Sequence, residues 1–230
     1  MLQIGKSAPL PAVTSEDLAI MRQTFAHRSH VRLPAFLDRS TLALVHAEVR
    51  NASFHELVHK DIGPNLELCM DPNRALGLLT FLMNSDALFR AVAAIAGCPP
   101  IARFSGRVYR LVPGSGHLDD WHDDVVFQRL VGLTINLSEH PYVGGVLEIR
   151  GRGPSTTFER VPNVGPGDAI LFRLGPDIEH RVSPMEGTAA KTAFAGWFHS
   201  GPGFIEVLRA VGGASEAQGV GTTEAPKAIG

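Results

Sequence analysis

In the first hundred residues the apolar positions recur every three or four residues, the period of a helix with one buried face. Asp38 or Ser40 caps a predicted helix carrying Leu42, Val45 and Val49. A second runs from Asn73 to Met83, with Leu76, Leu79 and Leu82 on one side. A third starts at Ser85-Asp86, presents Leu88, Val92 and Ile95, and stops at Gly97 ahead of Pro99-Pro100. From Arg103 the pattern shortens to β-rich runs split by Gly, Pro and Asp. The predicted strands are 107–112, 125–137, 146–150, 156–161, 169–173, 180–183 and 191–199. Short strands at near-regular spacing, with turns such as Gly144-Gly145 and Pro166-Gly167-Asp168, predict a β-sandwich or double-sheet jelly roll. The helices form one block before the strands, so the class is α+β, mainly β, with the helices packed on one sheet. Beyond Arg209 no apolar period survives. The expected organisation is a helical region over 1–100 and a β core over 101–210, forming one domain, with a disordered tail over 211–230.

Composition narrows the function classes. A chain of 230 residues suits one domain, and 21 Lys and Arg against 23 Asp and Glu leave a net charge of −2. That balance argues against nucleic-acid binding, which needs a basic surface to neutralise phosphates. It gives no sign of a strongly charged partner. Cys69 and Cys98 have no metal or redox spacing and are too few for a disulfide framework. The start lacks a basic region followed by an apolar run, and the apolar stretch near Ala91–Ala96 is too short to cross a bilayer. The expectation is a cytoplasmic protein without a membrane span.

Candidate chemistry lies in Gly116-His117-Leu118-Asp119-Asp120-Trp121-His122-Asp123-Asp124. His122 and Asp124 are two apart, so on an extended strand both face one side. They supply two neighbouring corners of a metal site. His180, after the apolar run 169–172, is the best candidate for a third. Two histidines and one carboxylate with open positions are the facial triad of non-heme Fe(II) oxygenases. An isolated HxD also arises often by chance, and His117-Leu118-Asp119 has the same spacing. The 122/124 register is preferred because it adjoins the predicted strand from Val125. His117 and Asp119 are then expected as loop residues at the mouth of the site. An aspartate-rich Mg²⁺ motif is disfavoured by the β-branched residues that follow.

In this context the chain resembles the prolyl-4-hydroxylase-like branch of the Fe(II)/2-oxoglutarate-dependent dioxygenases over about Val108 to Phe198. The resemblance rests on five matches in order: Tyr109 with Gly114 and Gly116, leading into Trp121-His122-Asp123-Asp124; Arg129 opening a strand that ends Leu133-Thr134-Ile135-Asn136-Leu137; the Gly144-Gly145 turn; Pro166-Gly167-Asp168 with Phe172; and His180-Arg181-Val182-Ser183-Pro184, Gly187, Lys191 and Gly196-Trp197-Phe198. It implies a double-stranded β-helix core, Fe(II) held by His122, Asp124 and His180, and Lys191 on the distal carboxylate of 2-oxoglutarate. Many members carry Arg at the Lys191 position, and the gap from His180 is one residue longer than the family pattern. Arg181, the alternative cation, has the opposite strand phase to His180. Tyr109, Arg129 and Asn136 are further candidates for cosubstrate contacts, each equally readable as an ordinary strand residue. His140 and His199 read as structural or solvent-exposed, and Arg150 and Arg152 as a solvated sheet edge.

The activity implied is oxidative decarboxylation of 2-oxoglutarate by O₂ to succinate and CO₂, coupled to hydroxylation of an unactivated C–H bond. Halogenases of this class carry Gly or Ala where this chain has Asp124, so hydroxylation is expected and chlorination is not. The substrate could be an amino acid, a peptide or protein side chain, or a small metabolite. Rival readings are a cupin-like metal dioxygenase that does not use 2-oxoglutarate, and a non-catalytic barrel that binds metal or ligand.

Overall fold

The computed structural model describes residues 2–5, 13–59, 65–126, 128–152 and 158–202. The predicted tail lies outside these residues. In chain order the elements are α1 (Ser15–Arg28), β1 (His30–Leu33), α2 (Arg39–Arg50), β2 (Phe54–His59), β3 (Asn65–Met70), α3 (Arg74–Met83), α4 (Asp86–Ala96), β4 (Arg103–Leu111), β5 (Asp119–His122), β6 (Arg129–Asn136), β7 (Val143–Gly144), β8 (Leu147–Gly151), β9 (Phe158–Val161), β10 (Ala169–Arg173), β11 (Ile178–Val182), β12 (Met185–Glu186) and β13 (Lys191–His199).

Capping explains where the helices begin. Asp38, Asn73 and Ser85 each accept a hydrogen bond from a backbone N–H three residues on, satisfying a donor the helix leaves open. Gly97 ends α4 in the left-handed region at φ 63°, where the missing Cβ removes the usual penalty. The stripe on α3 is rotated from the expected one: Ala75, Leu79 and Met83 are buried, whereas Leu76 and Leu82 are half-buried at its flanks. Helix α1 gave no apolar period to read, because Phe25 is its one buried residue. Among the described residues no single helix is long and apolar enough to cross a membrane.

Two antiparallel sheets face each other as the expected double-stranded β-helix. The major sheet runs β1-β10-β6-β13-β4-β3-β2 and the minor sheet β5-β11-β8-β9. One face of the major sheet packs on the helices through Phe104, Val108, Val131, Ile135, Leu171, Phe194 and Phe198. The other meets the minor sheet around Leu147, Ile149, Ile170, Phe172 and Ile178. Phe172 needs room to do so. Its ring occupies the space a Cβ on Gly132 would take, the nearest ring atom lying 2.2 Å from that position.

The first hundred residues are not purely helical as expected: β1, β2 and β3 lie among them. β1 pairs with β10, and β3 pairs with β4 and carries β2 at the sheet's edge. β1 and β3 owe their strand conformation to edges supplied by residues far along the chain, and β2 to β3 in turn, which no local period reports. The long strand expected over 125–137 is shorter, because residues 123–126 form a turn and β6 starts at Arg129. Arg150 lies on β8, between β11 and β9, so it is not at a sheet edge.

Candidate active site

His122 and His180 face each other across the β5–β11 ladder as directly opposed residues. Opposed side chains in an antiparallel pair project to the same face at close range, and these two imidazoles lie 4.3 Å apart between ring centroids. Asp124 arrives differently from the expected strand alternation. β5 ends at His122, and Asp124 sits in the following turn at φ 58°. A non-glycine residue held there stores on the order of 1 kcal/mol or more of strain. The turn swings its carboxylate back, placing Oδ2 3.5 Å from His122 Nε2 and 3.3 Å from His180 Nε2. One ligand atom from each residue lies within 4.8 Å of the others, the one such cluster among the described residues. His122 Nδ1 lies 2.6 Å from the Asp120 carbonyl. A carbonyl only accepts, so Nδ1 carries the proton and Nε2 is left for a ligand.

Asp124 is gripped from behind. Arg129 donates to Oδ1 at 2.6 Å and the Trp197 indole N–H donates to Oδ2 at 2.6 Å. The Arg129 guanidinium lies over the Trp197 ring, 3.6 Å from its centroid. Burial alone would raise the Asp124 pKa, but hydrogen bonds from His122 and His180 hold it well below the usual carboxylate range. Burial opposes charge on His122 as well, and there Asp124 and Asp119 outweigh it, pushing the imidazole up to about 9. The carboxylate is therefore ionised throughout the neutral range. Trp197→Phe keeps an aromatic ring over Arg129 and removes only the indole donor. The expected result is a divalent-metal affinity weakened about tenfold with a modest change in melting temperature, read by titrating the metal-free protein.

The triad opens on a cavity between the sheets. On β13 the residues Lys191, Ala193, Ala195 and Trp197 share one face, and the two alanines leave that space clear. Lys191 is buried, and its ammonium donates to the Gly145 carbonyl at 2.7 Å. Burial lowers its pKa to about 8, with Asp119 partly offsetting the effect. Among the described residues no carboxylate lies within ion-pair distance of it. Tyr109 lines the same cavity, with the Lys191 ammonium 5.9 Å from its ring centroid. Thr134 and Lys191 also border a smaller space lined by Tyr142 and Asn163, and sequence reasoning had not singled out Tyr142.

The other expected residues are placed as follows. Arg129 faces Asp124 and is not on the cavity wall. Asn136 gives its amide N–H to the Val164 carbonyl and accepts from the Ser138 N–H. His117 pins its own loop, its Nδ1 accepting the Val112 N–H at 3.0 Å. Asp119 does face the cavity, and burial raises its pKa. His199 is buried against Ser105, and Arg181 points outward to Glu148. The buried ion pair of Glu67 with Arg107 completes the wall beside Asp119 and Trp197. Glu67 belongs to no motif, because β3 carries no readable period.

Two imidazole nitrogens and an ionised carboxylate on one side, with open space on the other, fit a divalent iron. The 3.3 and 3.5 Å separations are close to the roughly 3 Å between neighbouring ligands at bond lengths of about 2.1 Å. A buried ammonium without a carboxylate partner fits the far end of a dianionic keto acid, whose charge needs compensation away from water.

Residues 106–199 match a family model described as the 2OG-Fe(II) oxygenase superfamily. No curated protein matches the chain. Among solved structures, a Pseudomonas putida prolyl-4-hydroxylase is similar at a TM-score of 0.59 and 20% identity, over 80% of this chain and 100% of that one. A Trichoplax adhaerens prolyl hydroxylase, in complex with a hypoxia inducible factor peptide fragment, has a TM-score of 0.58 and 17% identity, over 87% and 97%. SnoN, a non-heme alpha ketoglutarate dependent epimerase from nogalamycin biosynthesis, has 0.61 and 13%, over 81% and 84%. At these identities the likeness is one of fold.

Proposed function

We propose that this chain is a 2OG-Fe(II) oxygenase that uses Fe(II), 2-oxoglutarate and O₂, and that it hydroxylates an unactivated C–H bond of an amino acid, a peptide or protein side chain, or a small metabolite. The observation that carries this reading is the convergence of His122, Asp124 and His180 on the wall of the cavity that also holds the buried Lys191. In it, the three side chains hold Fe(II), and Lys191 pairs with the distal carboxylate of 2-oxoglutarate, with Tyr109 and Tyr142 beside it. Arg129 and Trp197 act through Asp124, and Asn136 shapes the neighbouring turn. Bound Fe(II) would activate O₂, the oxidant, with 2-oxoglutarate leaving as succinate and CO₂, one oxygen atom going into succinate and the other into the substrate alcohol. The protein's part is to exclude water, orient the keto acid through Lys191, and keep Asp124 ionised at neutral pH. Hydroxylation is favoured over chlorination because Asp124 occupies the position that resembles the open one of halogenases. Two separate, half-buried free cysteines suit a reducing, cytoplasmic setting.

The test is anaerobic addition of Fe(II) and then 2-oxoglutarate, watching for a weak visible charge-transfer band. Amino acids, peptides and metabolites are then screened for perturbation of that band and for oxygen-dependent succinate. Oxygen uptake without succinate would move the reading to a dioxygenase that does not use 2-oxoglutarate. Metal binding without turnover of any kind would leave a binding barrel.

A further inference from the structure

We propose that Arg152 is a positioning residue that clamps the ligand-bearing segments of the metal centre together from outside the minor sheet. The inference rests on the reading that His122, Asp124 and His180 hold a metal. Strand alternation on β11 sends His180 inward and its neighbour Glu179 outward. Asp123, between two of the ligands, is likewise absent from the cavity wall. One guanidinium spans both outward carboxylates. Arg152 places NH1 2.9 Å from Asp123 Oδ2, and NH2 and Nε 2.7 and 2.8 Å from Glu179 Oε1. The other Glu179 oxygen takes Arg150 at 2.7 and 2.9 Å, and the Arg150 guanidinium lies 4.1 Å over the Trp121 ring. Each triad member therefore has a sequence neighbour in one connected network: Trp121 beside His122, Asp123 beside Asp124, and Glu179 beside His180.

Asp123 has a second task. Its Oδ1 accepts the Val125 N–H at 3.0 Å, and the Val126 N–H bonds to the Asp124 carbonyl at 2.8 Å. These two bonds close the turn that holds Asp124 at φ 58°. Fixing the other Asp123 oxygen through Arg152 ties that strained turn to the strand carrying His180. A single exposed ion pair contributes little, and Arg152 is 42% exposed. What sets it apart is that its fork joins two segments far apart in sequence, through a Glu179 side chain only 16% exposed. A ligand set held in place before the metal arrives binds it more tightly, because less ordering remains to be done.

The test titrates metal-free protein with Co(II), following its visible spectrum and the heat of binding. Arg152→Gln is expected to raise the Co(II) dissociation constant about three- to tenfold, below the roughly 10–100-fold cost of losing a partner that touches a ligand. The metal-free melting temperature should change little. Arg152→Lys, which reaches one carboxylate at a time, should recover part of the loss. Raising ionic strength should narrow the gap between wild type and Arg152→Gln. Arg173→Gln breaks a more exposed pair with Asp177, whose side chain lies outside the network, and should leave the Co(II) affinity unchanged. If Arg152→Gln unfolds, Glu179→Gln carries the same comparison. Wild-type affinity in Arg152→Gln, or equal weakening by Arg173→Gln, would overturn the clamp while leaving the proposed function standing. A wild-type protein that binds no Co(II) or Fe(II) would overturn both.

Discussion

Asp124→Ala is expected to abolish Fe(II) binding and, with it, 2-oxoglutarate-dependent oxygen uptake. The side chain is nearly fully buried and contacts His122, His180, Arg129 and Trp197 at once. Its loss removes one of the three proposed metal ligands and the single anion between two imidazoles, so the loss should exceed the ~10–100-fold cost of removing an outer partner. It also leaves the Arg129 guanidinium and the Trp197 N–H without their acceptor. Stranding a buried charge in this way is expected to cost about 3–5 kcal/mol of stability. His122→Ala and His180→Ala should abolish oxygen uptake with less damage to the fold. His117→Ala should leave metal binding intact, since that imidazole accepts a loop N–H and points to no ligand. Metal quantification after reconstitution, with succinate formation alongside, separates these cases. Retained iron in Asp124→Ala together with lost iron in His117→Ala would move the site to the other HxD.

Lys191→Ala is expected to raise the 2-oxoglutarate concentration needed for turnover by about a hundredfold or more, while leaving Fe(II) affinity within about twofold. The estimate follows from the 3–5 kcal/mol typical of stranding one member of a buried ion pair, at about 1.4 kcal/mol per tenfold. Equal loss of metal and keto-acid binding would mean that Lys191 only fills space. Its pH signature is separable. Burial has moved its pKa from 10.5 to about 8, so the cation that an anion needs is lost as pH rises through that value. The Michaelis constant for 2-oxoglutarate should climb above pH 8 by up to about tenfold per unit, since binding then requires uptake of one proton. Stability without cosubstrate runs the other way. Between pH 8 and 10.5 the folded chain holds fewer protons at this site than the unfolded chain, so the destabilisation present below pH 8 is relieved as pH rises to 10.5. A flat Michaelis constant from pH 7 to 9.5 would exclude this role for the ammonium.

Much of the architecture was legible because its signals are local. The helix starts near Asp38, Asn73 and Ser85, the stop at Gly97, and the apolar runs that became β4, β8, β10 and β13 are all read from neighbours within one turn or one strand. The segments β1, β2 and β3 were not legible. β1 and β3 borrow their ladders from strands distant in sequence, β2 pairs only with β3 among the described residues, and β2 and β3 mix charged and apolar residues. With β3 went Glu67, and so part of the cavity wall. Arg129 and Asn136 could be flagged as polar residues on an inward-reading strand. Whether such a residue faces a ligand, a neighbouring carboxylate or a turn depends on contacts that strand phase does not encode.

The order of motifs along the chain determined by itself which side chains were candidates for the metal centre, because their spacing and chemical type are properties of the sequence. Folding decided how they meet. His122 and His180 are opposed because β5 and β11 pair in one register, and Asp124 joins them because a left-handed turn reverses it after the strand ends. The contacts of Arg129, Trp197 and Arg152 were likewise decided only in three dimensions. A hydrogen bond depends on distances of a few tenths of an ångström between atoms that the sequence places dozens of residues apart, and only the packed sheets bring them within that range.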